Sequence, residues 1–194
     1  MTSESSIAVD IGNSRIKIGC FTSGESLPEC YESLVFLLSE EGEWATALQE
    51  LAEANSEATA VIAGSNQPGI EAFLNSWPVA WPEPTLVRSS ENFPLEINVD
   101  EPRKVGLDRL LNAVAVNRLR DATRSAVIVD CGTATTVDFV AESGAFEGGS
   151  ILPGFGLSAR ALNEYTDALP RISLPELTNH CLLYTSPSPR DRSS

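Results

Sequence analysis

Histidine is almost missing: the chain has one, His180. That excludes a Ser-His-Asp triad, an HExxH zinc site and a Cys-His pair from the body of the chain. Any general base there must be a carboxylate or a lysine. Basic residues are also scarce. Thirteen Lys and Arg stand against 27 Asp and Glu, a formal net charge of -14. A nucleic-acid binder must neutralise phosphates, so this balance argues against general nucleic-acid affinity. No run of about 20 apolar residues is present, so nothing in the sequence is expected to span a membrane. The opening Met-Thr-Ser-Glu-Ser-Ser lacks the basic region and apolar stretch of a signal peptide. Four cysteines, Cys20, Cys30, Cys131 and Cys181, form no CxxC pair and no small disulfide framework, which points to a reduced, cytoplasmic setting. No GxxxxGK[ST] occurs, so this is not a P-loop protein.

What remains is a chain of 194 residues, 42% hydrophobic and 21% charged, the profile of a soluble globular protein with one large domain or two small ones. Ser6–Asp10 reads as a buried strand, followed by a tight turn and a period-two strand over Arg15–Phe21. Helical spacing covers Trp44–Ala54. A strand is expected at Ala58–Ala63, a short helix at Ile70–Ser76 and a strand at Thr85–Arg88. The polar stretch Ser89–Lys104 is expected to be an irregular crossover. Leu107–Leu119 is strongly helical. Strands are expected at Ala126–Asp130, Thr135–Val140 and Phe146–Leu152, then a turn over 153–156 and a helix over Leu157–Leu169. The closing stretch Cys181–Ser194 is rich in Ser, Pro and Arg without periodicity. It is read as a non-native tail and kept out of the fold argument.

Two segments 120 positions apart resemble each other. The first is Ile7-Ala8-Val9-Asp10-Ile11-Gly12-Asn13-Ser14 and the second is Val127-Ile128-Val129-Asp130-Cys131-Gly132-Thr133-Ala134. Each is a buried strand ending in Asp, with a Gly two residues later and a second strand beyond. A strand end holds a carboxylate rigidly. Glycine is expected to allow a positive-φ turn and close approach of a ligand. Backbone N–H groups and Asn, Ser or Thr side chains can then cradle phosphate oxygens. The carboxylate would hold a cation that bridges to the phosphate, and Lys17 would neutralise phosphate charge. One Asp-Gly hairpin is an ordinary turn. Two of them, each opening a β-rich half, indicate nucleotide binding.

Four motifs then resemble type III pantothenate kinases. DIGNSRIK at 10–17 resembles that family's first phosphate motif, in which Thr is commoner than Ser14. GLDR at 106–109 resembles its pantothenate motif, DCGTATTVD at 130–138 its second phosphate motif, and GGSILPG at 148–154 its adenosine motif. They occur in family order over residues 6 to about 175.

The resemblance implies an α/β protein of the actin/hexokinase-like ATPase fold, built from two ribonuclease H-like domains. These are placed at 1–120 and 121–180, the second incomplete. It implies transfer of the γ-phosphoryl group of ATP to pantothenate, the first step of coenzyme A synthesis. Mg²⁺, a monovalent cation such as K⁺ or NH₄⁺, and a homodimer are implied with it. Carried over by position, Asp10, Ile11, Gly12, Asn13, Ser14, Arg15, Ile16 and Lys17 would line ATP, with Asp10 near Mg²⁺ and Thr133 also on phosphate. Asp130 would hold the monovalent cation. Gly106, Leu107, Asp108 and Arg109 would line the pantothenate site. Asp108 would be the general base, and Arg109 would pair with the substrate carboxylate.

The sequence departs from the family at Val99, where Tyr is frequent, and it lacks a later Gly-x-x-Thr segment. The chain as written is therefore expected to be an impaired kinase. Three alternatives compete with this reading. One is another small-molecule kinase of the same fold. Another is a non-catalytic relative acting as a transcription accessory factor. The third is dinucleotide binding at the loose GxGxxA of Gly154–Ala159.

Overall fold

The computed structural model describes residues 5–24 and 27–172. His180, Cys181 and the tail over 181–194 lie outside the described residues. The chain forms two compact units. Of the described residues, the first holds those up to Ala126 together with Phe139–Gly148, and the second holds Val127–Asp138 with 149–172. The expected division at residue 120 made no provision for a segment that returns to the first unit.

The first unit is built on a five-stranded sheet in the order β3-β2-β1-β4-β5. Its strands are β1 (Ser5–Ile11), β2 (Arg15–Thr22), β3 (Glu29–Leu37), β4 (Thr59–Gly64) and β5 (Thr85–Leu86). β1, β2 and β3 form an antiparallel meander, and β4 lies parallel to β1. Alternation places Ile7, Val9 and Ile11 of β1 and Ile16, Ile18 and Cys20 of β2 in the core, as the period-two pattern requires. Helices α1 (Glu41–Ala54) and α2 (Gln67–Asn75) supply the facing side chains, Trp44, Leu48, Leu51 and Phe73. The spacing of Trp44, Leu48 and Leu51 is one stripe of a helix.

Both helices start one turn earlier than their apolar periodicity indicates. The first turn of α1 carries Glu41 and Glu43, whose charge suits a helix N-terminus. In α2 the side chain of Asn66 accepts the N–H of Gly69 at 3.0 Å, an N-cap just ahead of Pro68. β3 is a strand that the sequence pattern did not reveal. It is the edge of the sheet, and only Leu34 and Phe36 contribute to the core.

Residues 89–104 are irregular, as expected, apart from a short 3-10 turn at Pro102–Lys104 and a bridge from Ile97 to Phe146. Helix α3 (Leu107–Leu119) matches its expected bounds and buries Leu110 and Ala113.

Strands β6 (Ala126–Cys131), β7 (Ala134–Val140) and β8 (Phe146–Pro153) form a second sheet in that order, followed by α4 (Phe155–Glu164). α4 begins inside the expected turn and ends earlier than expected. In the second unit Val127, Val129, Ile151 and Leu152 are exposed and α4 buries no residue. Among the described residues, no helix is long and apolar enough to cross a membrane.

Candidate functional site

The first turn is anchored from below. Ile11 and Ile16 face each other across β1 and β2 and are fully buried. Their side chains belong to the core, so only their backbone can approach a ligand. Between them Gly12 donates its N–H to the Arg15 carbonyl at 2.9 Å, closing a tight turn with Asn13, Ser14 and Arg15 exposed at its tip. The Ser14 carbonyl accepts the N–H of Leu38 at 3.0 Å, which ties the turn to the end of β3.

Asp10 and Lys17 are cross-strand partners, and Lys17 Nζ lies 3.3 Å from Asp10 Oδ2. Their side chains are 48% and 58% exposed, a setting in which an ion pair adds at most about 1 kcal/mol to stability. Exchanging this pairing for a phosphate and its cation therefore costs little.

The expected positive φ at Gly12 and Gly132 is not observed. Among the described residues only Gly144 and Gly148 have positive φ. A Cβ on Gly12 would meet nothing nearer than the Arg15 carbonyl oxygen at 3.5 Å, and one on Gly132 nothing nearer than the Ala134 carbonyl oxygen at 3.6 Å. Both are ordinary van der Waals contacts. Neither backbone geometry nor internal packing demands glycine there, so the open space beside each turn is what glycine preserves. Gly64 is the contrary case. A Cβ there would overlap the carbonyl oxygen of Ile11, its register partner on β1.

At the start of α3, Gly106 is the N-cap residue and leaves room for the Asp108 carboxylate. Asp108 is exposed, and its Oδ1 accepts the N–H of Arg109 at 2.9 Å, which fixes the carboxylate on the first helical turn. Arg109 places its guanidinium 5.6 Å from the ring centroid of the buried Phe146, a cation–π contact. Leu107 and Gly64 both line a cavity of about 210 Å³ within the first unit. Leu107 comes from the GLDR segment, and Gly64 is the register partner of Ile11.

The second unit repeats the turn. Asp130 is half-buried on β6, Cys131, Gly132 and Thr133 are exposed, and Gly132 donates to the Ala134 carbonyl at 2.9 Å. The Thr133 carbonyl accepts the N–H of Gly154 at 3.0 Å. A Cβ on Gly154 would overlap the Gly132 carbonyl oxygen, and one on Gly149 would overlap that of Val137. Two glycines of the GGSILPG segment are therefore explained by its packing on the DCGTATTVD segment. Gly154 serves that contact, which removes the motivation for a dinucleotide turn there. Asp138, which has no role in the sequence motifs above, is the one buried charged residue among the described residues, at 1% exposure.

Comparison with known proteins shows the family. A family model described as type III pantothenate kinase matches residues 6–186. The chain belongs to the type III pantothenate kinase family. A relative of that name from Dehalococcoides mccartyi strain 195 is 35% identical over 181 residues, covering 89% of this chain and 68% of the relative. One from Rhodopirellula baltica is 33% identical over 189 residues, covering 86% and 68%. The chain thus spans about two thirds of the length of the curated relatives it matches.

Among solved structures, the Ppx/GppA family member of Aquifex aeolicus is similar with a TM-score of 0.52 at 12% identity, covering 93% of this chain and 60% of that one. An exopolyphosphatase from Cytophaga hutchinsonii is similar with the same TM-score at 7% identity, covering 93% and 59%. At these identities the likeness speaks to fold alone, and the fold is the actin/hexokinase-like ATPase fold.

For a type III pantothenate kinase, the residues matching its motifs fall into three clusters: the β1–β2 turn, the start of α3, and the β6–β7 turn. Two residues on the cavity wall, Gln67 and Arg88, were missed from sequence. Neither stands in a motif, and only the folded chain brings them beside Leu107.

Proposed function

We propose that this chain carries the nucleotide and acceptor sites of an enzyme that phosphorylates pantothenate from ATP. The turn closed by the Gly12–Arg15 hydrogen bond, open beside Gly12 and flanked by Asp10 and Lys17, carries this reading. The exposed Asp108 carboxylate at the start of α3 supports the acceptor role.

The residues present fit ATP with Mg²⁺. The space beside Gly12 accommodates phosphate oxygens. Backbone N–H groups at the tip of the turn and the Asn13 and Ser14 side chains would supply donors. Among the described residues no group of three or more His, Cys, Asp or Glu is placed to hold a metal. Mg²⁺ takes one or two carboxylates and completes its shell with phosphates and water. Asp10 would be that carboxylate. Bound ATP with Mg²⁺ supplies the transferable phosphoryl group and neutralises its charge. Lys17 balances phosphate charge once it leaves Asp10. In the second unit, Thr133 would offer a hydroxyl to phosphate, as its motif implies. Asp130 would hold a monovalent cation, K⁺ or NH₄⁺.

Asp108 accepts the proton of the attacking hydroxyl at its carboxylate, which the Arg109 N–H holds in place. A positioned base of this kind contributes about 10²–10⁴-fold. Asp108→Asn keeps the Arg109 N–H bond and removes the basic oxygen. It is expected to lower kcat by at least about 10²-fold while pantothenate affinity stays within a few-fold. Near-normal turnover would refute the role.

The working protein is a homodimer of the cytoplasm in this reading. A second reading, a kinase of the same fold with another small acceptor, is separated by an acceptor panel.

A further inference from the structure

We propose that Phe146 is a positioning residue for the acceptor: its ring holds the Arg109 guanidinium, at the start of α3, in the pose that meets the acceptor's carboxylate. This rests on the functional reading above and on the carboxylate role that the GLDR resemblance implies for Arg109. It adds a residue outside the four motifs.

Phe146 is fully buried, and Arg109 is half-buried with its guanidinium 5.6 Å from the ring centroid. The ring is fixed from two directions. Phe146 donates its N–H to the Glu96 carbonyl at 2.8 Å, and its own carbonyl accepts the N–H of Asn98 at 2.8 Å. The backbone at Phe146 is thereby locked to the segment that leads towards α3. The turn ahead of Phe146 is fastened to α3 itself. Asn117 donates its carboxamide N–H to the Gly144 carbonyl at 2.7 Å, and Arg120 Nη2 donates to the Glu142 carbonyl at 3.0 Å. Gly144 has a φ of +93°, and a Cβ there would crowd both Asn117 and Arg120. The helix that presents Arg109 in its first turn thus grips, about two turns further along, the turn that delivers Phe146.

A ring face attracts a cation through its quadrupole. That contact does not cancel the charge, as a carboxylate would, and it pairs with none of the N–H donors. A guanidinium over a ring therefore keeps the planar fork with which it meets a carboxylate through two parallel N–H···O bonds. An Arg side chain loses rotamer freedom when it is pinned in such a pair. Holding it on Phe146 before the acceptor arrives removes part of that loss, and the gain appears in the affinity for an acceptor that carries a carboxylate.

The test places mono-, di- and trifluorinated phenylalanine at position 146. Binding of pantothenate, and of the analogue whose carboxylate is replaced by a primary alcohol, is measured by calorimetric titration. Fluorine withdraws electron density from the ring face and leaves the shape of the ring nearly unchanged, so a packing role does not follow the series. The preference for pantothenate over the alcohol should fall stepwise along the series, by about fivefold in all, the factor that one cation–π contact supplies. Affinity for the alcohol should stay constant, and in Arg109→Gln the series should be flat. If the unmodified protein shows no preference, if the preference is constant along the series, if both ligands weaken equally, or if fluorination still acts in Arg109→Gln, the proposal fails while the functional reading stands. If the unmodified protein binds neither ligand, the functional reading fails and takes the proposal with it.

Discussion

Replacing Gly12 and Gly64 separately by alanine should separate binding from folding. The two glycines flank the same turn, but a methyl group meets different surroundings at each. At Gly12 the new Cβ would lie 3.5 Å from the Arg15 carbonyl oxygen with nothing nearer, and the φ there is not positive. Such a substitution costs no native strain and reduces unfolded-chain entropy by about 0.4–1 kcal/mol. At Gly64 the Cβ would overlap the Ile11 carbonyl oxygen, so β1 and β4 must move apart. Forced overpacking of this kind costs about 1–3 kcal/mol, or roughly 2–12 °C in Tm for a chain of this size. Thermal melts followed by calorimetric titration with ATP and Mg²⁺ read both effects. Gly12→Ala should melt at or slightly above the unmodified protein and bind ATP at least about tenfold more weakly, because the methyl occupies phosphate space. Gly64→Ala should melt lower. Undiminished ATP affinity in Gly12→Ala would refute the phosphate role of the turn, and a large loss of Tm there would refute the packing argument.

Asp130→Ala should lower activity in K⁺ buffer towards the level seen with Na⁺ alone. Equal rates of the unmodified protein in K⁺ and Na⁺ would count against a monovalent site. The Cys20 thiol is pushed up from its ordinary value, first by burial and then by the charge of Glu32. A maleimide at pH 8 should therefore label the exposed Cys30 and Cys131 and spare Cys20 until the chain unfolds. The same shift sets a sign for stability. Folding favours the protonated thiol, so this contribution is present below the ordinary thiol pKa, near 8.5, and is lost as pH rises through the higher folded value. Labelling of Cys20 at the rate of Cys30 in the folded protein would contradict this.

Much of the fold was legible because the buried strands carry strict alternation. Ile7, Val9 and Ile11 against Ile16, Ile18 and Cys20 leave one register open. α3 was legible in its bounds from the helical spacing of Leu107, Leu110, Leu111, Val114 and Ala115, although of these only Leu110 is buried, with Ala113 completing the buried face. β3 was not, because an edge strand buries only alternate residues on part of its length, and Glu29, Cys30 and Tyr31 carry no apolar signal. The early starts of α1 and α2 are set by charge and capping at Glu41, Glu43 and Asn66, which apolar spacing does not register. At the site, the motif residues were visible from their spacing, but the reason for Gly12 was not. A turn glycine suggests positive φ, whereas here the backbone is ordinary and the missing side chain is what counts. Arg88 and Gln67 are invisible as a pair in the sequence, since the segment after β5 and the start of α2 line one cavity only in the folded unit.

The most direct test of the account is ADP release by this protein across pantothenate, glucose, glycerol and acetate, with Mg²⁺ and K⁺ present and Asp108→Asn in parallel. The account predicts that pantothenate gives the highest kcat/KM and that the substitution abolishes the pantothenate-dependent part. Higher kcat/KM with another acceptor, or ADP release that ignores pantothenate, would contradict it.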